Sequence, residues 1–363
     1  MLRSYAWPPA GSAVGVAMAR PFDNVGAIRL ALALAVVVSH AFSVGSGSVA
    51  NEPLVKATGF TLGEHAVNGF FALSGLLVTL SFARSGVANY VIARLLRIAP
   101  GLVAATLLVA LVLGPVLTTL PLADYFGQGG VGRFITATLT SFKSSGSLPG
   151  VFADNPFPFP LATVWTLKYE TICYAAVLLL GIAGAIRYRV VALGLVAGFF
   201  TATVSLDVLH PDAPQGMQTA LRLPLIFATG AALYLYRDIT PLSAPILAAL
   251  ALVTWLAAGT GAYKALLFVT TAYAVIWLSF APGFSHPILT PKWDLSYGIY
   301  LYGWPVQQTV YSLYPSVPVA VQLAVSIALS VSLAALSWLF IEKPALTLKA
   351  RLRARQVKSA VAS

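Results

Sequence analysis

Apolar residues run along this chain in segments long enough to cross a bilayer as helices, which takes roughly 20 residues each. Short stretches rich in proline, glycine and polar residues separate them. The pattern predicts an all-α polytopic membrane protein of about ten spans, with both termini on the same side. The predicted spans are 25–45, 66–83, 99–120, 162–185, 190–207, 221–236, 243–259, 263–281, 295–314 and 318–341.

Composition supports this class. Hydrophobic residues make up 58% of the chain and charged residues 9%, against roughly 25% charged in a soluble domain. The single cysteine, Cys173, excludes an internal disulfide and a thiol-rich metal site. The four histidines form no metal-binding tract, so no metal is expected.

The net charge of +11 is explained by topology. If both termini are cytoplasmic, most arginines and lysines fall in or beside inner loops, as the positive-inside rule requires. Nucleic acid is therefore not an expected partner, whereas the bilayer of the inner or plasma membrane is. We expect an N-terminal tail over 1–24, a transmembrane domain over 25–343 with an outer loop near 121–161, and a basic cytoplasmic tail over 344–363. The proline run of this loop, residues 155–160, cannot be helical.

Two ionisable residues of different spans lie at matching depth. In the first span Arg29 precedes His40 by about 16 Å along a helix axis, which places His40 in the outer half. Glu170 lies at about the same depth in the fourth span, which runs inward. Because such groups are costly in a membrane, the pair indicates a histidine base with an orienting carboxylate. The alternative is a buried polar pair that fixes helix packing.

A second group of polar residues is basic. Arg94 and Arg97 are three residues apart, on one helix face, and they fall on the same membrane side as Arg29. Three guanidinium groups near one face could bind a phosphorylated ligand. The positive-inside rule alone is the equally good alternative.

These residues belong to a series of short motifs along the chain. In order they are Arg29-x10-His40, Phe70-Phe71-x-x-Ser74-Gly75, Arg94-x-x-Arg97-Ile-x-Pro100, Trp165-Thr-Leu-x-x-Glu170, Ser296-Tyr297-x-Ile-Tyr300-Leu, Trp304-Pro305 and Glu342-Lys343-Pro344. In the order and spacing of these motifs the chain resembles the membrane acyltransferase-3 family, the ten-span bacterial O-acyltransferases of surface sugars and related acceptors. Two positions depart from the family pattern: Gly303 stands where many relatives have histidine, and Asn68 where many have aspartate.

The resemblance implies that an acyl group, with acetyl expected, moves from cytoplasmic acyl-CoA to a hydroxyl of a carbohydrate or glycolipid acceptor. Acyl-CoA is then a co-substrate, and no cofactor is bound permanently. His40 would remove the hydroxyl proton and Glu170 would fix its tautomer, unless His40 is itself acylated. Tyr297, Tyr300 or Trp165 would donate to the oxyanion. The residues expected at the CoA phosphates are Arg29, Arg94 and Arg97, and those expected at the substrate cavity are Trp165, Tyr297, Tyr300 and Ser74.

Other functions fit parts of the pattern. A transporter or flippase of lipid-linked sugars would also need about ten spans and buried polar groups, but not acyl-CoA. A non-catalytic scaffold has no use for His40 and Glu170 at one depth. The acceptor, the acyl group and the oligomeric state stay open at this point.

Overall fold

A computed structural model describes residues 13–20, 23–127, 129–280 and 290–348 of the chain. These residues form helices and loops and contain no β-strand, as the hydrophobic pattern predicts. The predicted tail beyond residue 348 and residues 1–12 lie outside the described ranges. The helices are α1 (Val14–Met18), α2 (Val25–Val44), α3 (Pro53–Thr58), α4 (Leu62–Arg84), α5 (Val87–Leu108), α6 (Gly114–Leu117), α7 (Leu122–Gly127), α8 (Gly130–Ser141), α9 (Trp165–Ile182), α10 (Arg189–Leu209), α11 (Gln215–Leu235), α12 (Ala244–Leu256), α13 (Tyr263–Phe280), α14 (Ser296–Leu313) and α15 (Val319–Ser337).

Within the described ranges, 7 helical stretches are long and apolar enough to cross a membrane. Each coincides with a predicted span, so these spans are confirmed as candidates. The other three predicted spans are also helices, but α12 has only 13 residues and α11 and α14 are more polar. The full count of ten and the cytoplasmic orientation of the termini stay predictions. The 7 stretches are Val25–Val44, Leu62–Arg84, Val87–Leu117, Ala162–Ile182, Arg189–Leu209, Tyr263–Phe280 and Val319–Leu348.

Helix α14 is polar because protein surrounds it. Most of its residues are buried, including Gln307 and Gln308. Pro305 lies inside this helix, which continues from Ser296 to Leu313. Helix α14 packs closely on α15, since a Cβ atom at Gly298 would lie 2.8 Å from Ala334. Neighbouring helices commonly hold a membrane helix together across a proline.

The third predicted span begins earlier than expected. Helix α5 starts at Val87, so the positions of Arg94, Arg97 and Pro100 all lie within one helix. A π-helical turn, Val109–Leu113, joins α5 to α6. Within this turn the carbonyl of Ala110 accepts from the hydroxyl of Tyr125 of α7 at 2.7 Å, and a side chain bonded into the helix ladder commonly accompanies such an irregularity. Hydropathy did not predict the start of this helix, because Arg94 and Arg97 lower the mean hydropathy of its first turns.

The loop near 121–161 contains α7 and α8, which hydropathy did not indicate. Its proline run is non-helical, as predicted. Buried apolar residues of α5, α8 and α14 pack around Tyr125, so the loop belongs to a hydrophobic core.

The chain divides into two compact units, each built from three stretches. The first unit comprises 1–29, 67–86 and 169–292. In it, α10 and α12 pack beside α11 and α13, and α4 crosses α11 where Gly75 and Gly230 meet. Helix α1 is attached to the end of α11 because the N–H of Val14 donates to Thr240 at 2.9 Å.

The second unit comprises 30–66, 87–168 and 293–363. Here α14 packs along α15 and against α5, and the π-helical turn Trp338–Glu342 after α15 also contacts α5. Helices α2, α4 and α9 each pass from one unit to the other within their length.

Candidate functional site

His40 lies near the end of α2, in the second unit, against the indole of Trp304 from α14. The two ring centroids are 4.9 Å apart and the ring planes are nearly perpendicular, at 87°. The Nδ1 atom of His40 is buried and has no hydrogen-bond partner among the described residues. Most buried polar groups are paired, whereas this nitrogen is available to accept a proton from a bound hydroxyl.

Helix α14 approaches α2 closely one turn before His40. Gln307 donates its side-chain N–H to the carbonyl oxygen of Val37 at 2.8 Å. A Cβ atom at Gly303 would lie 2.8 Å from Cγ2 of Val37. A histidine at position 303 would therefore require Val37 to move, and glycine suits the contact.

The segment 151–161, which we call the cover segment, is bound to α14. The side-chain amide of Asn155 donates to the side-chain oxygen of Gln308 at 2.6 Å and to its main-chain oxygen at 3.1 Å. The indole N–H of Trp304 donates to the carbonyl of Phe159 at 2.6 Å. The ring of Phe157 packs on Trp304 with the centroids 6.0 Å apart. Trp304 thus contacts both His40 and the cover segment.

Tyr300 is held at the start of α9. Its hydroxyl donates to the carbonyl of Thr163 at 2.9 Å and lies 2.7 Å from the hydroxyl of Thr166. Trp165, the first residue of α9, sits between these two threonines in the chain. Because the only proton of the Tyr300 hydroxyl goes to a backbone carbonyl, this tyrosine is a poor oxyanion donor in the present geometry.

Tyr297 is positioned in the same way on α5. Its hydroxyl donates to the carbonyl of Ile98 at 2.8 Å. Its ring packs on the backbone at Gly101, where a Cβ atom would lie only 2.6 Å away. Tyr297 also lies under Arg97, whose guanidinium carbon is 5.6 Å from the ring centroid, and Arg97 forms an ion pair with Asp294 at 3.0 Å.

The structure places the two other predicted donor arginines, Arg94 and Arg29, in different units. Arg94 lies on α5 three residues before Arg97, within the second unit. Arg29 lies on α2 in the first unit. Glu342 lies within the last helix, which continues to Leu348. Its carboxylate is buried and accepts from the hydroxyl of Ser337 at 3.0 Å.

Glu170 lies on α9 within the first unit. Its Oε1 accepts a hydrogen bond from the hydroxyl of Tyr174, one helical turn further on. The hydroxyl of Ser74 on α4 lies 3.4 Å from the same oxygen and 3.3 Å from the Tyr174 hydroxyl. The predicted site residues Ser74 and Glu170 therefore come together, and Tyr174 joins them. Its spacing of four residues from Glu170 was the signal available in the sequence.

The predicted site is divided between the two units. The pairing of His40 with Glu170 consequently stays a prediction. Residues of the second unit are His40, Arg94, Arg97, Trp165, Tyr297 and Tyr300, and those of the first are Arg29, Ser74 and Glu170.

A model of an acyltransferase domain matches residues 22–342, which is most of the chain. The chain belongs to the acyltransferase-3 family. The family assignment made from the motifs is thereby confirmed. It makes the protein a multi-pass membrane acyltransferase, with the apolar helices that such a protein needs.

Two curated relatives resemble this acyltransferase over nearly their whole length. An O-acetyl transferase of Shigella phage Sf6 is 26% identical over 332 residues, covering 88% of this chain and 94% of the relative. Nodulation protein 10 of Rhizobium leguminosarum bv. viciae is 31% identical over 376 residues, covering 93% and 97% respectively. No solved structure matches the chain. The name of the first relative supports the assignment of this chain as an O-acetyltransferase-like enzyme.

Proposed function

We propose that this acyltransferase moves an acyl group, acetyl foremost, from cytoplasmic acyl-CoA to a hydroxyl of a sugar-containing acceptor at the inner or plasma membrane. Family membership supports the reaction class. The name of the phage relative supports acetyl as the group transferred. The transmembrane helices support a reaction whose two substrates arrive from opposite sides of the membrane.

His40 is the general base in this proposal. The observation that carries it is the buried Nδ1 atom with no partner among the described residues, on a ring oriented by Trp304. A neutral imidazole with a free ring nitrogen can accept a proton from a bound hydroxyl. Base catalysis by such a group contributes about 10²–10⁴ in rate.

The chemical step balances with one histidine. The acceptor hydroxyl gives its proton to His40 while its oxygen attacks the thioester carbonyl and forms the new C–O bond. The C–S bond then breaks, and the imidazolium returns the proton to the departing CoA thiolate. Acylation of His40 itself is the alternative route, and mass analysis of a quenched reaction for acetyl-His40 distinguishes the two.

The arginines bind the phosphates of the donor. Arg94 and Arg97 share α5, and a planar guanidinium suits bidentate binding of phosphate. Arg29 is proposed for the same role from its position in the sequence. The thin pantetheine arm would carry the thioester from this face into the membrane.

Glu170 is proposed to orient His40, as the sequence predicts. The Tyr174 and Ser74 hydroxyls around its carboxylate support a fixed geometry for Glu170 itself. A double-mutant cycle on His40 and Glu170 tests the pairing: a coupling energy near zero would remove Glu170 from the proposal.

The decisive experiment is transfer of label from [14C]acetyl-CoA into extracted membrane and surface glycans by the protein in proteoliposomes. We expect transfer by the wild type and a loss of about 100-fold or more in His40→Ala, with both proteins inserted equally. His210→Ala is the matched control, since His210 is exposed at the end of α10. Glycan moved across the bilayer without label would favour the transporter or flippase instead.

A further inference from the structure

Arg97 is held on two sides by residues at the start of α14. Its Nη2 atom lies 3.0 Å from Oδ2 of Asp294, and the two side chains are 16% and 29% exposed. Its guanidinium carbon lies 5.6 Å from the ring centroid of Tyr297. A carboxylate at one edge and a ring on one face restrict both the position and the tilt of a planar guanidinium.

The two supporting residues are themselves fixed. Oδ1 of Asp294 accepts from the hydroxyl of Ser296 at 2.6 Å, while Oδ2 forms the ion pair with Arg97. Tyr297 is anchored to α5 through Ile98 and packs on the backbone at Gly101. The short stretch from Asp294 to Tyr297 therefore forms a rigid support for one arginine of another helix.

We infer that Asp294 is a positioning residue, which orients the Arg97 guanidinium toward a phosphate of the acyl-CoA donor. The inference rests on the proposed function, which supplies the phosphate. A guanidinium has five N–H donors, and even a bidentate pair with one carboxylate uses only two of them, so pairing with Asp294 is compatible with a second anion. An orientation set in advance reduces the entropy that the side chain loses when the donor binds.

Neutralisation of Arg97 by Asp294 would have the opposite effect on donor binding, and the two effects give different experimental results. A carboxylate also offsets the positive charge of Arg97, and this would weaken attraction of a phosphate. If that effect dominated, removal of Asp294 would tighten donor binding. Two geometric constraints on the same guanidinium, with Ser296 orienting the carboxylate, favour positioning over neutralisation.

The first unit provides a matched control. Arg189 forms an ion pair with Asp238 at 2.6 Å, and its guanidinium carbon lies 5.7 Å from the ring centroid of Tyr236. The same three residue types are therefore in contact here as at Arg97, but none of these three residues has a proposed role in catalysis. Asp238→Ala therefore removes a similar ion pair that includes none of the predicted donor residues.

The test measures acetyl-CoA binding and acetyl transfer by the purified protein in nanodiscs. For Asp294→Ala we expect KM and Kd for acetyl-CoA to rise about five- to tenfold while kcat stays within about twofold, a change of roughly 1 kcal/mol in binding. Ser296→Ala, which keeps all charges, should shift Kd in the same direction by a smaller factor. Asp294→Asn keeps an oxygen that can accept from Arg97 and should recover part of the affinity, and Asp238→Ala should change nothing.

Each result for Asp294→Ala either supports or overturns the positioning role of Asp294. An unchanged or lowered Kd in Asp294→Ala, with wild-type binding intact, overturns the positioning role and leaves the proposed function standing. A fall in kcat without a change in Kd also overturns it, because it indicates a general structural defect. No binding of acetyl-CoA by the wild type overturns the proposed donor and the inference together. Size-exclusion profiles matching the wild type establish that the variants are folded.

Discussion

Trp304 stands edge-on to His40, with 4.9 Å between the ring centroids, and the same indole donates its N–H to Phe159 of the cover segment. One side chain thus fixes the orientation of the proposed base and attaches the segment beside it. An error of about 1 Å in the position of a catalytic group can cost about 100-fold in rate.

We expect Trp304→Ala to reduce kcat by about 100-fold, since the imidazole loses its packing partner. Trp304→Phe should have a smaller effect, because a ring remains while the hydrogen bond to Phe159 is lost. Trp255 on α12 is 70% exposed, so Trp255→Ala is the control for loss of an indole. Acetyl transfer at saturating acetyl-CoA measures the difference; wild-type kcat in Trp304→Ala would show that the ring contact has no role.

The second prediction concerns attachment of the cover segment. Asn155→Ala removes both hydrogen bonds to Gln308 and leaves its buried side-chain oxygen without this partner, at a cost of about 1–3 kcal/mol. We expect faster amide hydrogen exchange in 151–161 and a lower rate of transfer. Asp154 is adjacent and exposed, so Asp154→Ala should leave exchange unchanged. Equal exchange in the two variants would mean that Trp304 alone holds the segment.

The pattern of apolar residues and the spacing of the motifs correctly predicted part of this structure. The apolar runs predicted all the long helices, because a membrane helix needs a continuous apolar surface. The spacing of Arg94 and Arg97 placed both on one helix face, since residues three apart are neighbours on a helix. The start of α5 was missed because those same arginines lower the local hydropathy.

Contacts between distant residues could not be predicted from local patterns. Asp294 pairs with Arg97 although 197 positions separate them in the sequence, a distance set by how the helices pack. Tyr297 and Tyr300 were candidate oxyanion donors because tyrosines often donate hydrogen bonds. Only the fold shows that both donate to backbone carbonyls. Proline disfavours a continuous helix locally, yet α14 continues through Pro305, as membrane helices packed among neighbours commonly do.

The third prediction concerns the carboxylate of Glu170. Tyr174→Phe removes the hydroxyl that donates to Oε1 and leaves the ring in its packing position. We expect acetyl transfer to fall by about tenfold, since a hydrogen bond to a charged group contributes about 1.5–3 kcal/mol. Ser74→Ala should have a smaller effect, because its oxygen lies 3.4 Å from Oε1. Tyr169→Phe is the control, as the Tyr169 hydroxyl donates to the carbonyl of Gly216 at 3.5 Å and not to Glu170. A loss equal to that in Tyr174→Phe would indicate a non-specific effect.

The last prediction tests the crossing of α4 and α11. A Cβ atom at Gly75 would lie 2.0 Å from the carbonyl oxygen of Phe227, and one at Gly230 would lie 2.1 Å from that of Ala72. Because the obstacles are backbone atoms, Gly75→Ala and Gly230→Ala should each destabilise the protein by about 1–3 kcal/mol or more. Gly198 on α10 has open space around it, so Gly198→Ala should be neutral or stabilise by up to about 1 kcal/mol through helix propensity. Thermal unfolding in detergent measures the difference, and a Tm for Gly75→Ala as high as that for Gly198→Ala would mean that the two helices are not in close contact.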